Sequence, residues 1–182
     1  MGKHFCGQEQ SVQDIMEARD VRVRYHDYLL RGYKRTVISY KLNIPGPVKY
    51  SPLIKQIFDV GLSELNRKLD QAFVDIVHEK VWYKKSGPEY FAVVDVAAIP
   101  IKKLSTSIEE KHPLGRLFDF DIINSDGSQV SREKLGIGQR KCLLCKKGAF
   151  ECGRSRRHDV DTLITHIRAM AFNYFRLYEE VI

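Results

Sequence analysis

The residues best equipped for chemistry lie between His112 and His158. The run His112-Pro113-Leu114-Gly115-Arg116-Leu117-Phe118-Asp119-Phe120-Asp121 sets two carboxylates two positions apart in an apolar stretch. On a strand, positions i and i+2 share a face, so Asp119 and Asp121 would stand side by side. Two carboxylates on one rigid face can hold Mg2+ against the phosphates of a substrate. A metal there neutralises phosphate charge and stabilises a leaving pyrophosphate. Gly115 and Arg116, immediately before, suit a close phosphate approach and a bidentate contact. The plainer alternative is a half-buried strand whose polar face happens to be acidic.

A second constellation follows, Cys142-x2-Cys145-x6-Cys152-x5-His158. Three thiols and an imidazole at this spacing fit a tetrahedral Zn2+ site, and closed four-ligand sites of this kind are structural. Three ordinary thiols beside a histidine are the alternative. The chain has four cysteines, of which Cys6 stands alone. A cluster of three is no disulfide framework. A third, weaker signal is Asn43-x-Pro45-Gly46-Pro47-x-Lys49-x-Ser51, a turn feeding a helix start. Free N–H groups and the positive dipole end of such a terminus suit a phosphate. It could equally be a plain connection.

Charge sharpens the picture. The formal net charge is +7, and residues 131–158 hold nine lysines and arginines against two glutamates, so this segment carries the whole excess. Arg132, Arg140, Lys141, Arg154, Arg156 and Arg157 are among them. Such a patch attracts polyanions: nucleic acid, a polyphosphate ligand or an acidic protein. A solvated charged loop is the bland reading. Apolar runs are too short to span a bilayer, and the start, Met1 to Cys6, lacks a signal-peptide core, which points to the cytoplasm and away from membranes.

These motifs need a scaffold, and 182 residues suffice for one domain with a real core. Periodicity predicts a helix from Val12 to about Leu30, with Val12, Ile15, Met16, Val23 and Leu30 as its apolar stripe. Thr36 to Asn43 alternates as a strand that Pro45 and Pro47 end. Ser51-Pro52 starts a long helix marked by Ile54, Ile57, Phe58, Leu62, Leu65, Leu69, Phe73 and Ile76. Strands over Glu79 to Lys84 and Tyr90 to Val96 flank a hairpin turn at Ser86-Gly87-Pro88. Lys102 to Lys111 reads as a helix and Leu114 to Asn124 as a strand. The cysteine segment has no periodicity and reads as a loop within the domain. Asp159 caps a last helix carrying Val160, Leu163, Ile164, Ile167, Tyr174 and Leu177. The expected class is α+β: an antiparallel or mixed sheet of β-α-β-β-α-β order, ferredoxin-like in type, flanked by terminal helices.

Taken together, Leu42-Asn43-Ile44-Pro45-Gly46-Pro47-Val48-Lys49, the His112-to-Asp121 run, Ser131-Arg132, and Arg140-Lys141-Cys142-Leu143-Leu144-Cys145 with Cys152 and His158 resemble holo-citrate lyase synthase. That family is also called apo-citrate lyase phosphoribosyl-dephospho-CoA transferase, and the likeness runs from about Glu17 to the final helix. It implies transfer of a phosphoribosyl-dephospho-CoA group from triphosphoribosyl-dephospho-CoA to a serine of the acyl carrier subunit of citrate lyase. Pyrophosphate would leave. In that setting Asp119 and Asp121 would carry Mg2+ and Arg116 would contact the triphosphate. Arg132, Arg140, Lys141, Arg154, Arg156 and Arg157 would meet donor phosphates or the carrier. The Asn43-to-Lys49 turn, with Gly46, would wall the donor site. Asp95, Glu110 and His112 are candidates for the general base. The competing class is a non-enzymatic basic zinc module that binds nucleic acid or an acidic protein. Apart from Phe150 no aromatic residue interleaves the basic ones, which disfavours base stacking.

Overall fold

The alternation of Thr-Val-Ile-Ser-Tyr-Lys-Leu makes β1 (Thr36–Leu42) and decides the layering of the molecule. In the computed structural model, which describes residues 6–179, Ile38 and Tyr40 join a large core cluster on one face. Val37 joins a smaller cluster on the other, the face its neighbours Ser39 and Lys41 share. The reading of the chain's first residues as lacking a signal segment falls largely outside the described range.

Around β1 the sheet is antiparallel throughout. Strands β2 (Ile76–Lys84), β3 (Gly87–Val94) and β4 (Phe118–Ile123) complete the order β2-β3-β1-β4. Helix α2 (Pro52–Gln71) carries the chain from β1 to β2 past β3, and α3 (Ala98–Lys111) from β3 to β4 past β1. Two βαβ units are thereby interleaved. Helix α1 (Val12–Tyr33) precedes the sheet; α4 (Ala149–Arg154) and α5 (Val160–Glu179) follow it. The class is α+β, as expected. None of the described helices is long and apolar enough to cross a membrane.

One face of the sheet is mainly apolar. Tyr40, Phe118 and Phe120 pack there with Ile54, Phe58 and Leu65 of α2, Ile101 and Ile108 of α3, and Ile167 of α5. Each such side chain contributes roughly 1.5–3 kcal/mol when removed from water. The opposite face is divided. Leu29, Tyr25 and Tyr33 of α1 cover Phe91 and Val93 at one end. The other end of that face, under the first half of α1, is charged.

Several helix ends follow the sequence closely. Ser11 and Asp14 form a capping box, Asp14 N donating to Ser11 Oγ at 3.1 Å and Ser11 N to Asp14 Oδ2 at 2.8 Å. Ser51 Oγ accepts from Ile54 N at 3.2 Å, with Pro52 in the first turn. Asp159 Oδ1 accepts from Thr162 N at 2.7 Å and starts α5.

Other expectations need correction. Most of the stripe read on α1 faces solvent: Val12, Met16 and Val23 are 78%, 58% and 48% exposed, while Ile15 lines a cleft and Leu30 packs against the smaller cluster. The inward side is Arg22, Tyr25, His26, Leu29 and Tyr33, because half of the surface beneath the helix is polar. Helix α2 stops at Gln71; Phe73 adopts φ +53° and is exposed, and Ile76 opens β2. Helix α3 starts at Ala98, with Pro100 in its first turn, where no N–H is missed. Residues Gly115–Leu117 form a 3-10 turn, so β4 begins only at Phe118. The cysteine segment is not wholly loop, since it holds a 3-10 turn at Glu133–Leu135 and α4.

Candidate active site

Antiparallel pairing sets Lys41 opposite Asp119 and Ser39 opposite Asp121. The two aspartates do share a face, and it is the face α1 overhangs. Between them sits a cation the sequence did not single out. Lys41 Nζ donates to Asp121 Oδ2 at 3.0 Å and also to Asp119 Oδ2. Burial by itself would lower the Lys41 ammonium, but Asp121 and Asp119 outweigh it and hold it above its usual value. Burial likewise works to raise Asp119, and Lys41 and Arg140 overcome it, leaving that carboxyl below its usual range. Both groups are therefore charged at neutral pH.

This ion cluster forms one end of a cleft of about 180 Å3. Ile15 and Arg22 of α1, Asn43, Ile44 and Lys49 of the β1–α2 connection, and the Ser86-Gly87-Pro88 corner line it together with Lys41, Glu89 and Asp119. Arg22 pairs with Glu89, which Lys84 approaches at 3.4 Å. Lys49 Nζ donates to Ile44 O at 2.5 Å, closing its own turn, and burial lowers its proton affinity. Gly46 stands behind this wall at φ +78°, where a Cβ would lie 2.9 Å from Val160 of α5. The structure thus brings Asn43 and Lys49 to the same cleft as Asp119, with Gly46 supporting the turn.

The outer edge of β4 is sealed by side chains, which is how this fold avoids an open strand. Glu109 Oε1 accepts from Phe120 N at 3.0 Å, and Lys102 Nζ donates to Phe120 O at 2.8 Å. Val130 N then donates to Ile122 O at 2.9 Å. Arg140 donates to Phe118 O, and reaches both Asp119 Oδ1 at 3.2 Å and Glu109 Oε1 at 3.1 Å. Arg132 pairs with Glu109 Oε2 at 2.7 Å and with Glu110. Two of the arginines expected to meet a ligand are therefore occupied holding their segment to the sheet. Arg116 differs. It is partly buried, burial and the nearby Arg140 and Arg132 pull its guanidinium below the usual range, and no described side chain pairs with it.

Gly115 has a structural duty. A Cβ there would stand 2.5 Å from Ile108 O and 2.6 Å from Glu109 O, so only glycine lets the turn close on the end of α3. The base candidates lie away from the cleft. Asp95 pairs with Arg35 at the far end of the sheet, five residues along β1 or roughly 17 Å from Lys41. Glu110 is held by Arg132. His112 Nδ1 accepts from Leu114 N at 3.0 Å, its ring lies against Phe118 and Tyr174 on the apolar face, and burial lowers its proton affinity.

In the cysteine segment a tight turn is closed by Cys142 N donating to Lys147 O and Ala149 N to Arg140 O, both at 2.7 Å. Helix α4 returns Cys152, and His158 precedes α5. The four ligand atoms of Cys142, Cys145, Cys152 and His158 lie within 4.8 Å of one another. Arg154, Arg156 and Arg157 at the end of α4, with Lys141 and Lys146, are exposed rather than turned to the cleft.

Sequence reasoning missed Lys41, Arg22, Glu89 and Lys102. Lys41 had a visible signal, since Val37, Ser39 and Lys41 alternate with the apolar side of β1. Which carboxylates it would meet depended on β4 pairing with β1, a long-range choice.

Fold and cleft define a small α+β protein whose paired carboxylates and surrounding cations suit a phosphorylated ligand. A family model described as apo-citrate lyase phosphoribosyl-dephospho-CoA transferase matches residues 10–174. A probable apo-citrate lyase phosphoribosyl-dephospho-CoA transferase of Vibrio cholerae is 34% identical over 165 residues, covering 90% of this chain and 93% of the relative. The apo-citrate lyase phosphoribosyl-dephospho-CoA transferase of Citrobacter koseri is 32% identical over 161 residues, covering 88% and 87%. Protein CitXG of Leuconostoc mesenteroides subsp. cremoris is 33% identical over 172 residues, which make up 92% of this chain and 36% of that longer protein. The chain belongs to the apo-citrate lyase phosphoribosyl-dephospho-CoA transferase family, and so is a transferase of the holo-citrate lyase synthase type.

Proposed function

We propose that this enzyme transfers the phosphoribosyl-dephospho-CoA group of 2'-(5''-triphosphoribosyl)-3'-dephospho-CoA to a serine of the acyl carrier (gamma) subunit of apo-citrate lyase. The observation that carries the reading is the convergence of Lys41, Asp119, Arg22, Asn43 and Lys49 on one cleft in a member of this family.

In the reaction the serine oxygen forms a bond to the α-phosphorus of the donor, and the bond from that phosphorus to the pyrophosphate oxygen breaks in line. The serine proton passes to a carboxylate of the cleft or to water. Asp119 and Asp121 would hold Mg2+: their oxygens already converge on one cation, the Lys41 ammonium, so the pair has the reach to share another. When bound, the metal would neutralise triphosphate charge and favour departure of pyrophosphate. Lys41, released from one aspartate, and Arg116, which has no described partner, would take phosphate oxygens. Lys49, Asn43 and the N-terminal end of α2 would fix the donor from the other side. The exposed arginines Arg154 and Arg156, with Lys141 and Arg157, would attract the carrier, which we expect to be acidic, to the enzyme.

The test is the intact mass of apo acyl carrier subunit after incubation with enzyme, Mg2+ and the triphosphoribosyl donor. A gain matching phosphoribosyl-dephospho-CoA, absent without Mg2+, is the expected result. An unchanged carrier, with folded enzyme and active donor, would sink the assignment and favour the non-enzymatic basic module. The enzyme is expected to work in the cytoplasm.

A further inference from the structure

From Ser131 to Glu151 the chain has no buried residue, yet it makes a 3-10 turn at Glu133–Leu135 and a turn closed by Cys142 N on Lys147 O. Apolar packing is slight, with only the half-buried Leu143 of this segment set against the main core, and does not by itself explain how the segment holds its shape. Two things do: the ion pairs of Arg132 and Arg140, and the cluster of Cys142, Cys145, Cys152 and His158.

The four ligand atoms lie within 4.8 Å of one another, and two of their separations match a metal site. Around a tetrahedral Zn2+, with sulfur at about 2.3 Å and imidazole nitrogen at about 2.0 Å, ligand atoms lie about 3.5–3.8 Å apart. Cys145 Sγ is 3.5 Å from Cys152 Sγ and 3.4 Å from His158 Nε2. A disulfide would need the sulfurs at about 2 Å, and all three thiols here are free. Leu144 N points at Cys142 Sγ from 3.5 Å, the backbone donation that steadies a thiolate ligand.

The same turn places an active-site neighbour. Arg140 lies two residues before Cys142, and its carbonyl closes the turn by accepting from Ala149 N. Its guanidinium spans Asp119 and Glu109. We propose that Cys142, Cys145, Cys152 and His158 bind one structural Zn2+, and that the filled site holds Arg140 as a positioning residue on Asp119. The metal site stands apart from the transfer reading; its link to catalysis rests on that reading.

The full-length protein, purified without added metal and free of chelator, is tested by elemental analysis. It should carry one zinc per chain. Exchange into Co2+ should give the visible d–d bands and thiolate charge-transfer absorption of a tetrahedral site. Zinc content well below one per chain with no such cobalt spectrum would overturn the site, as would a Cys145–Cys152 disulfide in the freshly isolated protein. Cys145→Ser should lose the metal; if it does not fold, chelation of the intact protein replaces it.

The link is read by hydrogen exchange with and without metal, in the absence of donor and carrier. Peptides across 131–158 should lose protection roughly tenfold or more on metal removal, while β1 and β3 keep theirs. Unchanged protection around Arg140 would overturn the positioning role. Arg140→Lys should retain zinc and yet lower kcat more than it raises KM, since the ammonium cannot span both carboxylates. An Arg140→Lys enzyme with full kcat would also overturn that role. If the carrier is never modified, metal content and protection still decide both claims.

Discussion

The cleft under α1 and the segment at 131–158 are both dense in charge, but they hold it by different means. In the cleft Lys41, Asp119 and Asp121 are fixed by strands whose other face is packed with Tyr40, Phe118 and Phe120. The apolar layer sets the backbone, and the charges ride on it two residues apart. In the cysteine segment no residue from 131 to 151 is buried; Glu109 anchors it through Arg132 and Arg140, Leu143 rests half-buried on the main core, and its thiols gather beside His158. The difference teaches that only the first region has rigidity to spare for chemistry. The second relies on a few polar contacts, so it should be easier to loosen selectively.

The largest effect should come where the two regions meet. Glu109 is 4% exposed and answers both Arg132 and Arg140 while bonding the edge of β4. Glu109→Gln keeps an acceptor for Phe120 N but leaves Arg132 with Glu110 alone and Arg140 with Asp119 alone, a loss at the lower end for a broken buried pair, about 3 kcal/mol. Urea unfolding measures it; a loss under 1 kcal/mol would show that the segment is not anchored through this residue.

Within the cleft, Asp119→Asn should preserve the fold, since Arg140 still has Glu109 and Lys41 still has Asp121. Transfer should fall by about 100- to 1,000-fold, measured as the rate of carrier mass gain. Wild-type rates would break the contrast between a catalytic region and a supporting one.

A smaller, pH-dependent effect belongs to His26, on the inward side of α1. Burial, with Arg22 beside it, pushes its pKa down to about 4; Lys41 adds to this while Asp121 and Asp27 oppose it. Its Nε2 is buried with no hydrogen-bond partner among the described residues. The unfolded chain binds a proton near pH 6.5, which the folded imidazole resists. Stability from this group is thus complete above about pH 6.5 and is lost as pH falls toward 4, by about 2 kcal/mol after allowing for the ring's partial exposure. His26→Phe should flatten the melting temperature across that window; an unchanged slope would place the acid sensitivity elsewhere.

The smallest change in stability is expected from Arg154→Glu with Arg156→Glu, within about 0.5 kcal/mol, because both side chains are exposed. The same variant should raise KM for the carrier and reduce its dependence on salt. Identical kinetics would remove these arginines from carrier recruitment.

Much of the fold was legible locally. Alternation placed β1, Ser51-Pro52 placed the start of α2, and Asp159 the start of α5, because each signal acts within a few residues. The shared face of Asp119 and Asp121 followed from strand periodicity, and the gathering of Cys142, Cys145, Cys152 and His158 from their spacing along the chain. The apolar stripe of α1 misled, because periodicity cannot tell which side of a helix will meet a sheet that is itself half charged. Phe73 looked like core and stands in water, because the turn after Gln71 swings it outward. Nor could spacing reveal that Arg132 and Arg140 would be taken by Glu109, or that Lys41 would sit between the two aspartates. Those partners lie 23, 31 and about 80 residues away. By itself, then, the sequence determined residue types, local periods and caps, whose energies depend on near neighbours. Tertiary structure decided which charges meet, because ion pairing across strands depends on the sheet order β2-β3-β1-β4, which only packing of the whole chain selects.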